Sequence, residues 1–119
     1  MPRGANVHRD EIPPGTLYLL ILKTLARCGE IHGYEIANSI QRVSNDVLQV
    51  EEGSLYPALQ RMLIKGWVVA EWKQSENNRR ARFYSLTAAG RRQLKAETAK
   101  WTDMTTVVAG ILAKKQDEI

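Results

Sequence analysis

The stretch GSLYPALQRMLIKG, residues 53–66, decides the fold because its apolar residues recur at helical spacing around a proline. A proline inside a helix costs about 3 kcal/mol, since it lacks an N–H group and its ring crowds the preceding turn. The first turn escapes this cost, because its N–H groups have no partner within the helix. With Ser54 as the N-cap, Pro57 falls at the third helical position. The stretch therefore predicts a helix that begins at Ser54 or the next residue and runs to about Lys65, with Gly66 ending it.

The predicted helix has two different sides. One side is apolar and is expected to face a core, and it carries Leu55, Leu59, Met62 and Leu63. The polar and cationic residues that are predicted to point the other way are Ser54, Pro57, Arg61 and Lys65.

Two further helices are predicted upstream. The stretch TLYLLILKTLARCG starts at Thr16 and is apolar almost all round, so it must be covered on more than one side, and Gly29 is placed to end it. The only cysteine, Cys28, is expected to be a small buried residue at this helix end. The stretch HGYEIANSIQRVS, residues 32–44, predicts the second helix, and His32 is expected to serve there as a capping or packing residue.

Beyond Gly66 the pattern becomes extended. The β-branched and aromatic residues of WVVAEW (67–72) and RFYSL (82–86) predict two strands. The polar stretch between them is centred on Asn77 and Asn78, which tolerate turn backbone angles. This pattern predicts a hairpin with a long basic tip, in which Arg79 and Arg80 lie in the tip and Arg82 begins the second strand.

A final helix is predicted from about Ala88 to Lys115, with Thr87 as its cap. Apolar residues recur along it with heptad spacing, which indicates a short helix–helix seam, although Glu97 interrupts the register. The predicted seam residues are Leu94, Trp101, Met104, Val108 and Ile111.

The order of these elements predicts a fold that is mainly α with a small antiparallel β-hairpin. It is the order of a winged helix-turn-helix, expected over residues 13–87, followed by a long C-terminal dimerisation helix over residues 88–119. Residues 1–12 are expected to form a flexible N-terminal arm. The chain of 119 residues is long enough for one small domain with a modest core, so a second subunit could share in burying apolar surface.

Charge and fold order together favour a nucleic-acid partner. Lys and Arg number 17 against 13 Asp and Glu, for a formal net charge of +4. In a winged helix the third helix enters the major groove and the hairpin lies along the adjacent backbone, where arginines neutralise phosphates. The alternatives to DNA contact are that the polar side of the third helix is an ordinary solvent-exposed face and that the arginine-rich turn is a solvent-exposed loop. Glu51 and Glu52 count slightly against DNA contact at the start of that helix.

Several segments resemble the PadR family of transcriptional regulators: HGYEI (32–36), GSLYPALQRMLIKGWV (53–68), RRARFYSLTAAGRRQL (79–94) and the later Trp101. The resemblance covers roughly residues 15–115 and implies a homodimeric repressor that binds double-stranded DNA at near-palindromic operators. Carried onto this chain, it implies a DNA-binding surface formed by Tyr34, Ser54, Tyr56, Pro57, Arg61, Lys65, Arg79, Arg80 and Arg82. The alternative for Tyr56 is that it packs against the second helix and does not contact DNA.

The resemblance also implies a second site. Some small relatives bind flat aromatic compounds at the dimer interface between paired tryptophans, and Trp101 is similar to that position. Glu97, one turn earlier, would pair with a cationic ligand or with a basic residue across the interface. The alternative is that Trp101 only packs the dimer seam. A ligand-binding protein whose main functional site is this interface pocket is therefore the second hypothesis, beside the DNA-binding repressor.

The sequence gives no indication of a catalytic site, a cofactor site or a metal site. Its two histidines and one cysteine form no cluster with metal-ligand spacing. Ser54 and Ser85 have no evident His or Asp partner, and no glycine-rich phosphate loop is present. The apolar runs are too short to span a membrane and the N-terminus has no signal-peptide pattern, so the cytoplasm is the expected compartment.

Overall fold

The computed structural model describes residue 12 and residues 15–115. Four helices and three strands follow in the order α1 (Thr16–Cys28), β1 (Ile31–His32), α2 (Gly33–Val43), α3 (Glu52–Ile64), β2 (Val68–Gln74), β3 (Arg80–Leu86) and α4 (Ala88–Leu112). This is the predicted winged helix-turn-helix with a long C-terminal helix. Of the predicted N-terminal arm, only residue 12 is among the described residues.

Local signals at two helix ends act as predicted. Gly29 has a φ of 80° and its N–H donates to the carbonyl of Leu25, so α1 ends there. Gly66 has a φ of 78°, and the bonds from Gly66 N–H to Leu63 and from Trp67 N–H to Met62 close the last turn of α3. This pair of bonds is a Schellman motif, which requires the left-handed backbone that glycine adopts freely.

The predicted start of α3 is wrong. The Glu51 carbonyl accepts from the N–H groups of Ser54 and Leu55, so the helix begins at Glu52 and Ser54 lies inside it rather than at its cap. Pro57 is then an internal residue that cannot donate to Gly53. Gly53 is exposed, so water can satisfy its carbonyl. The carboxylate of Glu52 in the first turn also favours this earlier start, because it faces the positive end of the helix dipole.

The three strands form an antiparallel sheet in the order β1-β3-β2. The sequence did not predict β1, which has only two residues and pairs Ile31 with Tyr84. The hairpin strands extend further than predicted, so the tip is confined to residues 75–79. Asn78 there has a φ of 59°, as expected of a turn asparagine.

One core joins the helices to the base of the sheet. It is formed by Ile21, Leu22, Leu25, Ile36, Ile40, Leu55, Ala58, Leu59, Met62, Val68 and Tyr84. All three helices of the helix-turn-helix and both hairpin strands contribute to it, so burial of this apolar surface fixes the position of α3 beside the hairpin.

A tight junction anchors α4 to this core. The Thr87 hydroxyl donates to the Gly66 carbonyl at 2.6 Å and accepts from the N–H of Gly90 at 3.0 Å, which is the predicted cap. Gly90 lies so close to the carbonyl of Trp67 that a Cβ there would be 2.1 Å from its oxygen. The helix ends at Leu112, three residues before the predicted Lys115.

Candidate nucleic-acid interface

Ser54 and Pro57 lie on the exposed surface of α3, away from its buried residues. At about 100° per residue, however, the direction opposite the buried face is occupied by Gly53, Pro57, Gln60 and Ile64. Of the residues predicted to face outward, Pro57 lies on this central stripe, and Ser54 and Arg61 lie on one flank of the helix. Gln60 and Ile64 were not among the residues predicted to face outward, although their spacing of three and seven residues from Pro57 indicates that side of a helix.

Two cationic side chains at the C-terminal end of α3, Arg61 and the capping residue Lys65, turn towards aromatic rings outside the helix. The Nε of Arg61 donates to the hydroxyl of Tyr18 in α1, and its guanidinium carbon is 5.7 Å from the centre of that ring. The Nζ of Lys65 is 5.3 Å from the centre of the Trp67 ring. Because Tyr18 and Trp67 also contact each other edge to face at 5.7 Å, these four side chains form one cluster, here called the aromatic clasp.

Tyr56 lies on the opposite flank of α3 and packs against the start of α2. A Cβ on Gly33 would be 2.7 Å from Cε1 of Tyr56, so a side chain at position 33 would force the Tyr56 ring to shift. Burial and the nearby Glu52 carboxylate raise the pKa of Tyr56 above its usual 10.0. The hydroxyl is therefore a neutral donor at pH 7, and with 41% of the residue exposed it both packs on α2 and reaches the surface.

Tyr34 and the N-terminus of α2 lie beside this contact. Tyr34 is 61% exposed, and its ring stacks with that of His32 at 6.5 Å. His32 precedes the helix without making a side-chain cap and contacts Phe83 edge to face at 5.3 Å, so it is the packing residue of the two expected alternatives. The His32 side chain therefore accepts no hydrogen bond from the first N–H groups of α2. Free N–H groups at a helix N-terminus can donate to an anion such as phosphate.

The hairpin of β2, β3 and the tip between them is the wing of the winged helix, and it brings two of its three arginines onto one face. The guanidinium of Arg80 lies 5.2 Å from the Trp72 ring, and that of Arg82 lies 5.9 Å from the Tyr84 ring. Within the described part of the chain, the buried Nε atom of Arg82 has no hydrogen-bond partner. Arg79 is exposed at the tip, where the side chain of Gln74 holds the turn by donating to Asn78.

The predicted seam residues of α4 separate into two groups. Leu94 is half-buried and packs against the chain's own core. Further along the helix, apolar side chains are exposed in the single chain: Trp101 (50%), Met104 (54%), Val108 (43%) and Ile111 (67%). The apolar surface is broader than predicted, because Val107 and Leu112 are exposed as well.

Trp101 and Glu97 meet in a groove between α4 and the start of α1. The groove has a volume of about 230 Å³ and is also lined by Thr16, Leu19 and Met104. Glu97 accepts a hydrogen bond from Gln93 at 2.7 Å, which holds its carboxylate on the groove side of the helix. The two residues predicted to hold an effector thus line one surface of a single chain.

Other chemistry finds no support in the described residues. Among residue 12 and residues 15–115, no three His, Cys, Asp or Glu side chains are grouped to hold a metal ion. Over the same residues, no helix is long and apolar enough to cross a membrane. The prediction of a buried Cys28 is wrong: the residue is exposed, because the last turn of α1 extends past the core.

Comparison with known proteins agrees with this geometry. The model of the transcriptional regulator PadR-like family matches residues 21–96. A PadR family transcription regulator from Clostridium difficile R20291 is 29% identical, with a TM-score of 0.71, over 83% of this chain and 100% of that chain. A PadR-like transcriptional regulator from Bacillus cereus ATCC 14579 is 28% identical, with a TM-score of 0.71, over 85% of this chain and 95% of that chain.

A transcriptional regulator from Clostridium thermocellum is 26% identical and has a TM-score of 0.71. The alignment covers 82% of this chain and 92% of that chain. The similarity therefore extends over nearly the whole length of these relatives.

Proposed function

The chain belongs to the PadR-like family of transcriptional regulators, and we propose that it acts as a homodimeric repressor that binds a near-palindromic operator. The observation that carries the proposal is the exposed surface of α3 beside a wing that presents Arg79, Arg80 and Arg82. A helix of this kind fits the major groove, while the wing arginines contact the neighbouring phosphates. The proposal makes the protein a cytoplasmic regulator with no catalytic activity of its own.

The DNA-binding surface in this proposal comprises the residues expected from the sequence: Tyr34, Ser54, Tyr56, Pro57, Arg61, Lys65, Arg79, Arg80 and Arg82. Tyr34, Tyr56 and the α2 N-terminus support it as neighbouring donors to phosphate. Fluorescence anisotropy with the DNA upstream of its own gene tests it. Binding that is no tighter than to random DNA at low salt would contradict it.

Replacing Arg80 with alanine is expected to weaken binding to all DNA sequences by a similar factor. If its guanidinium neutralises one phosphate, the slope of log K against log salt becomes shallower by about 0.9. The measurement is a salt titration with operator and with random DNA, and Lys95→Ala, which removes an exposed cation from α4, is the control that keeps the wild-type slope. A loss of affinity for the operator alone would instead indicate that Arg80 contacts a base.

A second candidate function is effector binding in the groove of Trp101 and Glu97. The favouring observation is that the two side chains line one groove of about 230 Å³. A planar cation is expected to stack on the indole and pair with the carboxylate. An effector that prefers the DNA-incompetent dimer would then release the operator.

Titration with ethidium in the absence of DNA tests this candidate through tryptophan fluorescence. Trp101→Ala is expected to abolish the saturable quenching, and Glu97→Gln to weaken it. Trp72→Phe changes another exposed tryptophan, on the wing, and should retain the quenching. Saturable quenching that persists in Trp101→Ala would contradict the candidate.

A further inference from the structure

The most outward stripe of α3 contains none of its cations. Leu55, Ala58, Leu59 and Met62 are buried, and the residues within about 30° of the opposite direction are Gly53, Pro57, Gln60 and Ile64. Ile64 is 76% exposed, so its aliphatic side chain is available to a partner that meets this side of the helix. Gln60 is exposed too, and its amide makes no hydrogen bond within the described part of the chain.

The cations of α3 are occupied elsewhere. Arg61 lies about 70° from the outward direction, and its Nε donates to the Tyr18 hydroxyl of α1. Lys65 follows the last helical residue and lies over the Trp67 ring. The aromatic clasp therefore holds Arg61 against α1 and Lys65 against Trp67, which precedes β2. On the outward stripe, Gln60 is the side chain that can both donate and accept hydrogen bonds.

We propose that Gln60 and Ile64 read base edges in the major groove, while Arg61 positions α3 against α1. The proposal rests on the DNA-binding function proposed above and assigns sequence recognition within it. The amide of glutamine makes a bidentate pair with N6 and N7 of adenine, and an aliphatic side chain contacts the methyl group of thymine. The four-residue spacing of Gln60 and Ile64 places them about one helical turn, or about 6 Å, apart. This is nearly two base-pair steps of about 3.4 Å, so they reach different base pairs of one half-site.

Gly53 and Pro57 support this assignment of the outward stripe. A Cβ on Gly53 would meet nothing within 4 Å, and its φ does not demand glycine. With glycine and proline in its first two turns, the stripe offers no long side chain there. The helix can then approach the groove closely at this end, with Gln60 as the first long polar side chain to reach the bases.

The test is selection of binding sites from a library of double-stranded DNA with a randomised centre, using the full chain. The wild type is expected to enrich a motif with A·T pairs at the central contact of each half-site. Gln60→Arg is expected to change one position in each half-site from A·T to G·C, because arginine pairs with O6 and N7 of guanine. Its affinity for the wild-type motif should fall about 10- to 100-fold.

Arg61→Met is the matched comparison, because it removes the neighbouring guanidinium but keeps an aliphatic stem on the flank. Since the bond that positions α3 against Tyr18 is lost, this variant is expected to bind every DNA site more weakly by a similar factor and to melt at a lower temperature. The motif that it enriches should still be that of the wild type. Enrichment of the wild-type motif by Gln60→Arg, or of a changed motif by Arg61→Met, would overturn the assignment while leaving DNA binding intact. If the wild type enriches no motif, the proposed DNA-binding function itself fails. This outcome differs from failure of the Gln60 assignment alone, in which the wild type still enriches a motif.

Discussion

Replacing Gly90 with alanine is expected to lower the free energy of unfolding by about 3 kcal/mol. The added methyl group would lie 2.1 Å from the carbonyl oxygen of Trp67 and 3.0 Å from Cδ2 of Leu86. The carbonyl belongs to the backbone that follows the Schellman turn of α3, so it cannot rotate away as a flexible side chain would. Helix α4 must therefore move as a body or unwind at its first turn.

Movement of α4 would also break the hydrogen bonds of Thr87 to Gly66 and Gly90, which are made at the same junction. Thermal denaturation followed by circular dichroism measures the effect, and the melting temperature should fall by on the order of 10 °C. Gly110→Ala is the matched control, since it makes the same change in the same helix where a Cβ meets nothing within 4 Å. The control should be neutral or stabilising by up to about 1 kcal/mol, because alanine has the higher helix propensity.

A Gly90→Ala protein with the melting temperature of the wild type would contradict the close contact between Gly90 and the Trp67 carbonyl. If Gly110→Ala were equally destabilised, the effect would come from the helix rather than from the contact with Trp67. The same junction explains why the segment YSLTAAG has a glycine in the first turn of a helix, where propensity alone disfavours it.

Features that depend on neighbouring residues in the sequence could be predicted. Gly29, Gly66 and Thr87 act within one turn of a helix end, so their signals are complete in the local sequence. The hairpin followed from strand composition and from the turn tendency of the two asparagines. The start of α3 was misplaced because Ser54 is a good cap in isolation, whereas the Glu51 carbonyl and the Glu52 charge favour an earlier first turn.

Features that depend on distant residues could not be predicted. The orientation of Arg61 is set by Tyr18, which is 43 residues away in the sequence. The strand β1 has two residues and exists only because β3 offers an edge to pair with. Leu94 fits the heptad pattern of the seam, but it packs on its own core because the junction at Gly90 holds the first turns of α4 against the domain.

Replacing Val108 with glutamate is expected to convert the proposed dimer to a monomer. Helix α4 is 25 residues long and exposes Trp101, Met104, Val108 and Ile111, an apolar stripe that a monomer would leave in water. In a homodimer paired through this stripe, each chain would place a carboxylate near its symmetry mate in an apolar interface. Burying two such charges without partners costs several kcal/mol, which exceeds what one valine contributes.

The change is measured by sedimentation equilibrium and by binding to DNA that carries two half-sites. A monomer contacts one half-site at a time, so affinity should fall by about 10²-fold or more, while circular dichroism retains the helical signal because Val108 lies outside the core. Thr106→Glu introduces the same charge at a heptad position away from the stripe, and it should remain dimeric with wild-type affinity. A Val108→Glu protein that still sediments as a dimer would place the interface elsewhere. A wild-type monomer that binds paired half-sites no more tightly than single ones would contradict the dimer itself.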